Sequence, residues 1–220
     1  MNRVDYRLNA IVDGSLRDVG DLADLARIAA RSGATVVQYR DKDASTRAMV
    51  DQAREIRAAL DGTGVPLVVN DRLDVALAAG ADGVHLGRDD MEAGTARRLL
   101  GSAAIIGLTV KDAADAEAAI AAPADYACIG GVFATLSKHN PDVPVGLDGF
   151  SALREKIAAA RPGLPVGAIA GIDAARAAEV VRAGASGVAV IAAIFRAADI
   201  AAATRGLRRA VDAALREKDA

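Results

Sequence analysis

The stretch PLVVNDRLDVALAAGADGVHLGRDD, residues 66–90, contains two apolar runs, each followed by a cluster of polar side chains. The runs at 65–69 and 83–86 predict buried strands with a short helix between them. Parallel neighbours joined by a right-handed crossover bring their carboxyl ends to one edge of a sheet. We therefore expect Asp71 and Asp90 to lie close together.

The two aspartates have two interpretations. An Asp that follows a strand is commonly a turn residue or a helix N-cap that binds local backbone N–H groups, and this is the better interpretation of either residue alone. Two carboxylates at one sheet edge can instead share a hard cation such as Mg²⁺. Cationic and hydroxyl side chains at other strand ends favour the shared site for Asp71 and Asp90 as a pair.

The chain repeats one unit, a helix end followed by Gly-Ala and a strand. The clearest copies are AARSGATVVQYR, ALAAGADGVHLG and VVRAGASGVAVI, and they contain Gly33, Gly80 and Gly184. Glycine at the end of a helix indicates a left-handed conformation there. The predicted strands are 6–12, 35–39, 65–69, 83–86, 104–108, 125–129, 165–169 and 187–191.

Eight strands alternating with helices in 220 residues predict an α/β fold, a single (β/α)₈ TIM barrel of one domain spanning 1–220. A doubly wound open sheet is the alternative. The composition, 52% hydrophobic and 3% aromatic, suits parallel strands covered by Ala-rich helices. The chemistry of such a barrel lies on the loops that follow its strands.

Composition also excludes several classes of partner. A formal net charge of −2 and the lack of a basic stripe argue against nucleic acid. The chain has neither a secretory signal pattern nor an apolar run of membrane-spanning length, so we expect a cytoplasmic protein without a membrane partner. The single cysteine, Cys128, is predicted to be a buried packing residue. Barrels of this kind often self-associate through their outer helices, which makes a homo-oligomer an expectation here.

Polar side chains follow most of the predicted strands. The cationic ones are Arg40, Lys42 and Lys138, and the neutral ones are Asn70, Thr109, Thr135 and Ser137. Each cation alone would be interpreted as a solvated loop residue. Together with a Mg²⁺ site at Asp71 and Asp90, they predict a polyphosphate ligand, because Mg²⁺ takes carboxylate and phosphate oxygens while Arg and Lys complete the neutralisation.

Three further features concern the predicted loops. Gly171 and the segment 187–195 follow strands seven and eight, the usual phosphate-binding place in these barrels. The long loop 130–148 is predicted to be a lid. His85 and His139 are interpreted as structural, because no serine or cysteine stands at a spacing that would form a triad.

Five motifs together resemble the thiamine phosphate synthase family along nearly the whole chain. They are QYRDK at 38–42, VVNDR at 68–72, DGVHLGRDD at 82–90, ATLSK at 134–138 and GVAVI at 187–191. The resemblance implies a Mg²⁺-dependent transferase of thiamine biosynthesis that joins two small phosphorylated substrates, hydroxymethylpyrimidine diphosphate and thiazole phosphate. The diphosphate is implied to leave first, which generates a pyrimidine carbocation.

The resemblance also implies roles for individual residues. The pyrimidine diphosphate would be held by Gln38, Arg40, Lys42, Asn70 and Lys138, of which Arg40, Lys42 and Lys138 are the catalytic candidates. Asp71 and Asp90 match the Mg²⁺ ligands, and Thr109 is a further substrate-binding candidate. The thiazole phosphate would be bound by Thr135, Ser137, Gly171 and the backbone of Ile191 and Ala192.

Five positions depart from the residues that are usual in the family. They are Arg88 (usually Gln), Thr109 (usually Ser), Ala134 (usually Pro), Ala170 (usually Gly) and Ala192 (usually Ser). Thiazole tautomerases share much of the pattern but depend on a histidine after strand five, where this chain reads LTVKD. The alternative function is a regulatory barrel that binds a phosphorylated metabolite without catalysis, although such a protein would not need the metal pair. A phosphosugar isomerase would need an acid/base pair that the sequence lacks.

Overall fold

The computed structural model describes residues 4–135 and 143–219. Eight parallel strands close into a barrel in chain order, with the eighth strand paired to the first. The strands are β1 (Leu8–Asp13), β2 (Val36–Arg40), β3 (Leu67–Asn70), β4 (Gly83–Leu86), β5 (Ile105–Val110), β6 (Tyr126–Ile129), β7 (Val166–Ile169) and β8 (Gly187–Val190). The predicted barrel is confirmed and the open sheet is wrong.

Helices surround the strands. They are α1 (Leu22–Arg31), α2 (Thr46–Ala59), α3 (Leu73–Ala79), α4 (Ala93–Leu100), α5 (Ala113–Ala121), α6 (Gly146–Ala160), α7 (Ala174–Arg182), α8 (Ala192–Phe195) and α9 (Ile200–Asp219), with a short 3-10 helix at Gly14–Asp18. α6 begins at Gly146, so residues 146–148, which were predicted to belong to the loop 130–148, are helical. No helix within 4–135 and 143–219 is long and apolar enough to cross a membrane.

Local sequence signals set the helix ends. The side chain of Asp21 caps α1 by accepting a hydrogen bond from the Asp24 N–H. At the other end of a helix, Gly80 closes α3 in the left-handed conformation, with φ of 66°. Gly33 and Gly184 also have positive φ, at 118° and 108°, so the positive φ predicted at all three glycines is confirmed.

Two tyrosine rings fill the lower part of the barrel. Tyr6 and Tyr126 stack with their ring centroids 4.3 Å apart. Glycines leave the space for them, because a Cβ at Gly107 would lie 2.0 Å from the Tyr126 ring and one at Gly167 would lie 2.0 Å from the Tyr6 ring. Because Tyr6 precedes β1 and Tyr126 begins β6, the stacked rings lie toward the amino ends of the strands.

Candidate active site

Two adjoining cavities open at the carboxyl ends of the strands. One has a volume of about 570 Å³ and reaches into the barrel, and the other has a volume of about 780 Å³ and lies at the rim. We call them the barrel cavity and the rim cavity. Both are lined by Asn70, Thr109, Lys111, Gly130 and Gly131, so one ligand can extend from one cavity into the other.

Every strand contributes an inward side chain to the barrel cavity, as alternation along a strand requires. These side chains are Ile11, Gln38, Asn70, His85, Thr109, Cys128, Ile169 and Ala189. Cys128 is buried, as predicted. The loop residues Thr135, Gly171, Ile191 and Ala192 line the same cavity. All the predicted neutral groups that the structure describes are therefore brought together.

The rim cavity carries most of the charged groups. Arg40, Lys42, Asp71 and Asp90 all line it, together with Arg88. The structure thus brings together the predicted cations and carboxylates that it describes. Ser137, Lys138 and His139 lie outside the described residues, as does much of the predicted lid.

Arg40 is held by a buried carboxylate that the sequence analysis missed. Its guanidinium donates to Asp13 at the end of β1, and both side chains are largely buried. Burial opposes ionisation of Asp13, but hydrogen bonds from Ser15 and the Arg40 charge outweigh it and lower the pKa of Asp13. A second pair, Arg17 to Asp41 at 2.7 Å, runs between the same two loops. The two pairs fix Arg40 at the rim.

Asp71 is held by its backbone and by Lys42. Its φ is 64°, a conformation that Asp tolerates better than most residues, and its N–H donates to the His85 carbonyl at 2.8 Å. The Lys42 ammonium donates to its carboxylate. Burial raises the pKa of Asp71, but hydrogen bonds from Lys42 and Asp90 outweigh burial and lower it. The N-cap interpretation is wrong for Asp71, because Arg72 occupies that position of α3.

Asp90 lies beside Asp71, as predicted from the two parallel strands. Its carboxylate accepts the Gly87 N–H at 2.6 Å, so it also has the local turn role expected of a single Asp. Burial and the neighbouring Asp71 carboxylate raise the pKa of Asp90 above its ordinary value. Two carboxylates in this position repel each other when both are ionised, and a divalent cation would remove that repulsion.

The two carboxylates suit a cation whose remaining ligands come from a bound phosphate and from water. Within residues 4–135 and 143–219, no group of three or more His, Cys, Asp or Glu side chains could hold a metal ion. Mg²⁺ is commonly bound through one or two carboxylates together with substrate phosphates and water. Asp71 and Asp90 could therefore hold Mg²⁺ when a phosphorylated ligand completes the coordination.

Arg88 points its charge away from the carboxylate pair. Its guanidinium donates to Asp112, and its Nε donates to Asp115 at 2.8 Å. The Asp115 side chain is largely buried and also accepts the Lys111 N–H at 2.9 Å. Two carboxylates thus neutralise the charge that this unusual residue adds beside Asp90.

The loop after β7 packs closely on the loop after β6. Ala170 has φ of 91° and Gly171 has φ of 64°. A Cβ at Gly171 would lie 2.4 Å from the Ala134 carbonyl oxygen, so only glycine fits there. Ala170 accepts the Phe133 N–H at 3.2 Å. Ala170 therefore holds a strained conformation, at a position where the resemblance implies glycine.

His85 connects two residues inside the barrel. Its Nδ1 lies 2.9 Å from the Tyr126 hydroxyl, and its Nε2 lies 2.9 Å from the Thr109 hydroxyl. The sequence analysis interpreted His85 as structural and did not connect it with Thr109. The available signal was alternation, which turns His85, Thr109 and Tyr126 inward on three consecutive strands.

Comparisons with known proteins agree on one family. The family model described as thiamine monophosphate synthase matches residues 8–194. The thiamine-phosphate synthase of Agrobacterium fabrum is 66% identical over 218 residues, which cover 99% of each chain. That of Chloroflexus aurantiacus is 45% identical over 94% of each chain. The solved thiamine phosphate pyrophosphorylase from Pyrococcus furiosus superposes with a TM-score of 0.83 at 35% identity, covering 97% of this chain and 98% of that one.

Proposed function

The chain belongs to the thiamine monophosphate synthase family, and we propose that it joins hydroxymethylpyrimidine diphosphate to thiazole phosphate with release of diphosphate. The observation that carries the proposal is the pair of adjoining cavities. The rim cavity collects most of the cations and carboxylates, while the barrel cavity is lined mainly by neutral and apolar groups, with Lys111 and Asp173 as its charged residues. A substrate with a charged diphosphate and an uncharged aromatic ring matches this division.

The rim cavity would hold the diphosphate. In the reaction, the bond between the pyrimidine methylene carbon and the diphosphate oxygen breaks, and the electron pair leaves with the oxygen. Arg40 and Lys42 would stabilise the charge that develops there, because cations fixed in advance need no reorganisation during the step. Arg40 is fixed by Asp13, and Lys42 by Asp71. Lys138 is proposed as a third cation.

Asp71 and Asp90 are proposed to hold Mg²⁺. When bound, the ion would neutralise diphosphate oxygens and make them a better leaving group. The two carboxylates supply two anionic ligands, and the ligand phosphate and water would supply the rest. Because Asp71 already binds Lys42, the cationic side chain and the metal would act on the same diphosphate.

The barrel cavity would hold the two rings. Gln38, Asn70 and Thr109 offer hydrogen bonds to the pyrimidine, and Ile11 and Ala189 provide apolar wall. Exclusion of water protects a methylene cation from capture by water. The lone pair of the thiazole nitrogen then forms the new carbon–nitrogen bond, and this step requires no general base.

The thiazole phosphate would lie where the loops after β6, β7 and β8 meet the barrel cavity. The described residues proposed to bind it are Thr135, Gly171, Ile191 and Ala192, all of which line that cavity. Ser137 is proposed as a further ligand. Loops after the seventh and eighth strands are the usual phosphate-binding place of these barrels.

The test is to incubate the purified protein with hydroxymethylpyrimidine diphosphate, thiazole phosphate and Mg²⁺, and to measure thiamine phosphate and released diphosphate. We expect equal amounts of both products, and loss of both when a chelator is added. Absence of product under all conditions, with thiazole phosphate still bound, would refute the synthase and favour the regulatory barrel.

Variants separate the carboxylate pair from general surface charge. Asp71→Ala is expected to lower turnover by about 100-fold or more, because the metal and Lys42 both lose their partner. Asp74→Ala is the matched control, since Asp74 is an exposed carboxylate in the first turn of α3 that forms an ion pair with Arg72. Lys138→Ala should behave like Asp71→Ala. Normal turnover of both active-site variants would contradict the assignment.

A further inference from the structure

Tyr126, His85 and Thr109 form a continuous hydrogen-bonded row that ends at the ligand cavities. The row runs from the Tyr126 hydroxyl to His85 Nδ1, and from His85 Nε2 to the Thr109 hydroxyl, with both distances 2.9 Å. The Tyr126 ring also stacks on the imidazole, with centroids 5.5 Å apart. His85 is only 7% exposed, and Thr109 lines both cavities.

The direction of the first hydrogen bond follows from the chemistry of Tyr126. Burial raises the pKa of this phenol well above its ordinary value, so it keeps its proton. A buried hydroxyl needs an acceptor, and within the described chain His85 Nδ1 is the hydrogen-bond partner of Tyr126. Tyr126 therefore donates and Nδ1 accepts. A proton on Nδ1, in the other tautomer or in the imidazolium, would leave the phenol O–H without that acceptor.

The direction of the second hydrogen bond follows from the first. A neutral imidazole with an accepting Nδ1 carries its proton on Nε2. Nε2 therefore donates to Thr109 Oγ1. A hydroxyl that accepts on its oxygen still has its own O–H to donate, and the Thr109 hydroxyl lies at the wall that the two cavities share.

We propose that His85 is a positioning residue, fixed by Tyr126, which turns the Thr109 hydroxyl into an oriented hydrogen-bond donor that selects a substrate ring with an acceptor atom on its edge. An aromatic ring nitrogen has that chemistry, whereas a ring edge carrying only C–H groups does not. The inference rests on the proposed function for the identity of the ring, a pyrimidine, but not for the direction of the hydrogen bonds.

The tautomer can be measured without any substrate. The chain has two histidines, His85 and His139, so ¹⁵N-histidine labelling and a His139→Gln variant assign the signals. We expect His85 to be neutral, with its proton on Nε2. In Tyr126→Phe, which keeps the ring but removes the donor, we expect exchange between the two tautomers. A proton on Nδ1 in the unmodified protein would overturn the proposal.

Kinetics test whether His85 acts through Thr109. Tyr126→Phe should lower kcat/KM for the pyrimidine diphosphate by about 3- to 10-fold, the value of one neutral hydrogen bond. It should leave the KM for thiazole phosphate unchanged. In a Thr109→Val background, where there is no hydroxyl to orient, Tyr126→Phe should change kcat/KM by less than about 2-fold. In a Thr109→Ser background its full effect should return.

Equal effects of Tyr126→Phe in the unmodified protein and in the Thr109→Val background would show a purely structural role and overturn the proposal. If the unmodified protein made no thiamine phosphate, the proposed function would fail while the tautomer measurement still decided the direction of the hydrogen bonds. The same cycle would then be measured as the affinity for hydroxymethylpyrimidine diphosphate, with the same expected pattern.

Discussion

Replacing Gly171 with alanine tests how the loops after β6 and β7 shape the proposed thiazole phosphate site. The new Cβ would lie 2.4 Å from the Ala134 carbonyl oxygen and 2.8 Å from Phe133 Cβ. To restore ordinary contact, the neighbouring loop must move by about 1 Å, and a displacement of that size can cost about 100-fold in a reaction. Thr135, the next residue of that loop, would move with it.

The backbone adds a second cost. Gly171 has φ of 64°, where alanine costs about 1 kcal/mol relative to its preferred conformations. Gly64→Ala is the matched control, because Gly64 has φ of 72° and no atom within 4 Å of the added Cβ, and it lies in the loop before β3. Both variants should therefore lose similar backbone stability, while only Gly171→Ala disturbs the site.

The assay is steady-state kinetics at saturating pyrimidine diphosphate, with urea unfolding of both variants. Gly171→Ala should raise the KM for thiazole phosphate by about 10-fold or more, and Gly64→Ala should leave it unchanged. If the two variants had the same KM for thiazole phosphate, the packing of these loops would not shape the binding site and the reasoning would be refuted.

Three other substitutions give separate predictions. Ala170→Gly should raise the free energy of unfolding by about 1 kcal/mol in a urea titration, because the relief of backbone strain at positive φ exceeds the entropy cost of glycine. A lower free energy of unfolding would contradict this prediction. Asp13→Asn should raise the KM for pyrimidine diphosphate about 3- to 10-fold by releasing Arg40. Because the folded protein lowers the pKa of Asp13, the ionised Asp13 contributes stability above about pH 4, and this contribution is lost as the pH falls. The difference in the free energy of unfolding between Asp13→Asn and the unmodified protein should therefore shrink in acid when unfolding is measured at several pH values. A difference that stays constant with pH would contradict this prediction. Arg88→Gln should keep kcat within about 3-fold while lowering the free energy of unfolding through loss of the ion pair with Asp115, and a large loss of kcat would show that Arg88 acts on the substrate.

The carboxylate pair could be predicted from the sequence because it depends on strand order alone. Asp71 follows β3 and Asp90 follows β4, and neighbouring parallel strands end at one edge. Strand boundaries were also predicted to within two residues, because apolar runs and flanking glycines mark them directly. Both are local signals combined with one topological rule.

Contacts between side chains from different loops could not be predicted in this way. The partners of Arg88 come from the loop after β5 and the start of α5, and the partner of Arg40 comes from the end of β1. Each pair depends on side-chain rotamers and on the distances between loops, and the order of the strands determines neither. The row from Tyr126 to Thr109 depends further on Gly107, whose missing side chain makes room for the tyrosine ring.

The central claim is that the rim cavity binds diphosphate through Mg²⁺ on Asp71 and Asp90. The most direct measurement is calorimetric titration of inorganic diphosphate into the unmodified protein and into Asp71→Asn, with and without saturating Mg²⁺. We predict that Mg²⁺ tightens binding to the unmodified protein by about 10-fold or more and has less than about a 2-fold effect on the variant. An equal effect of Mg²⁺ on both proteins would contradict the account.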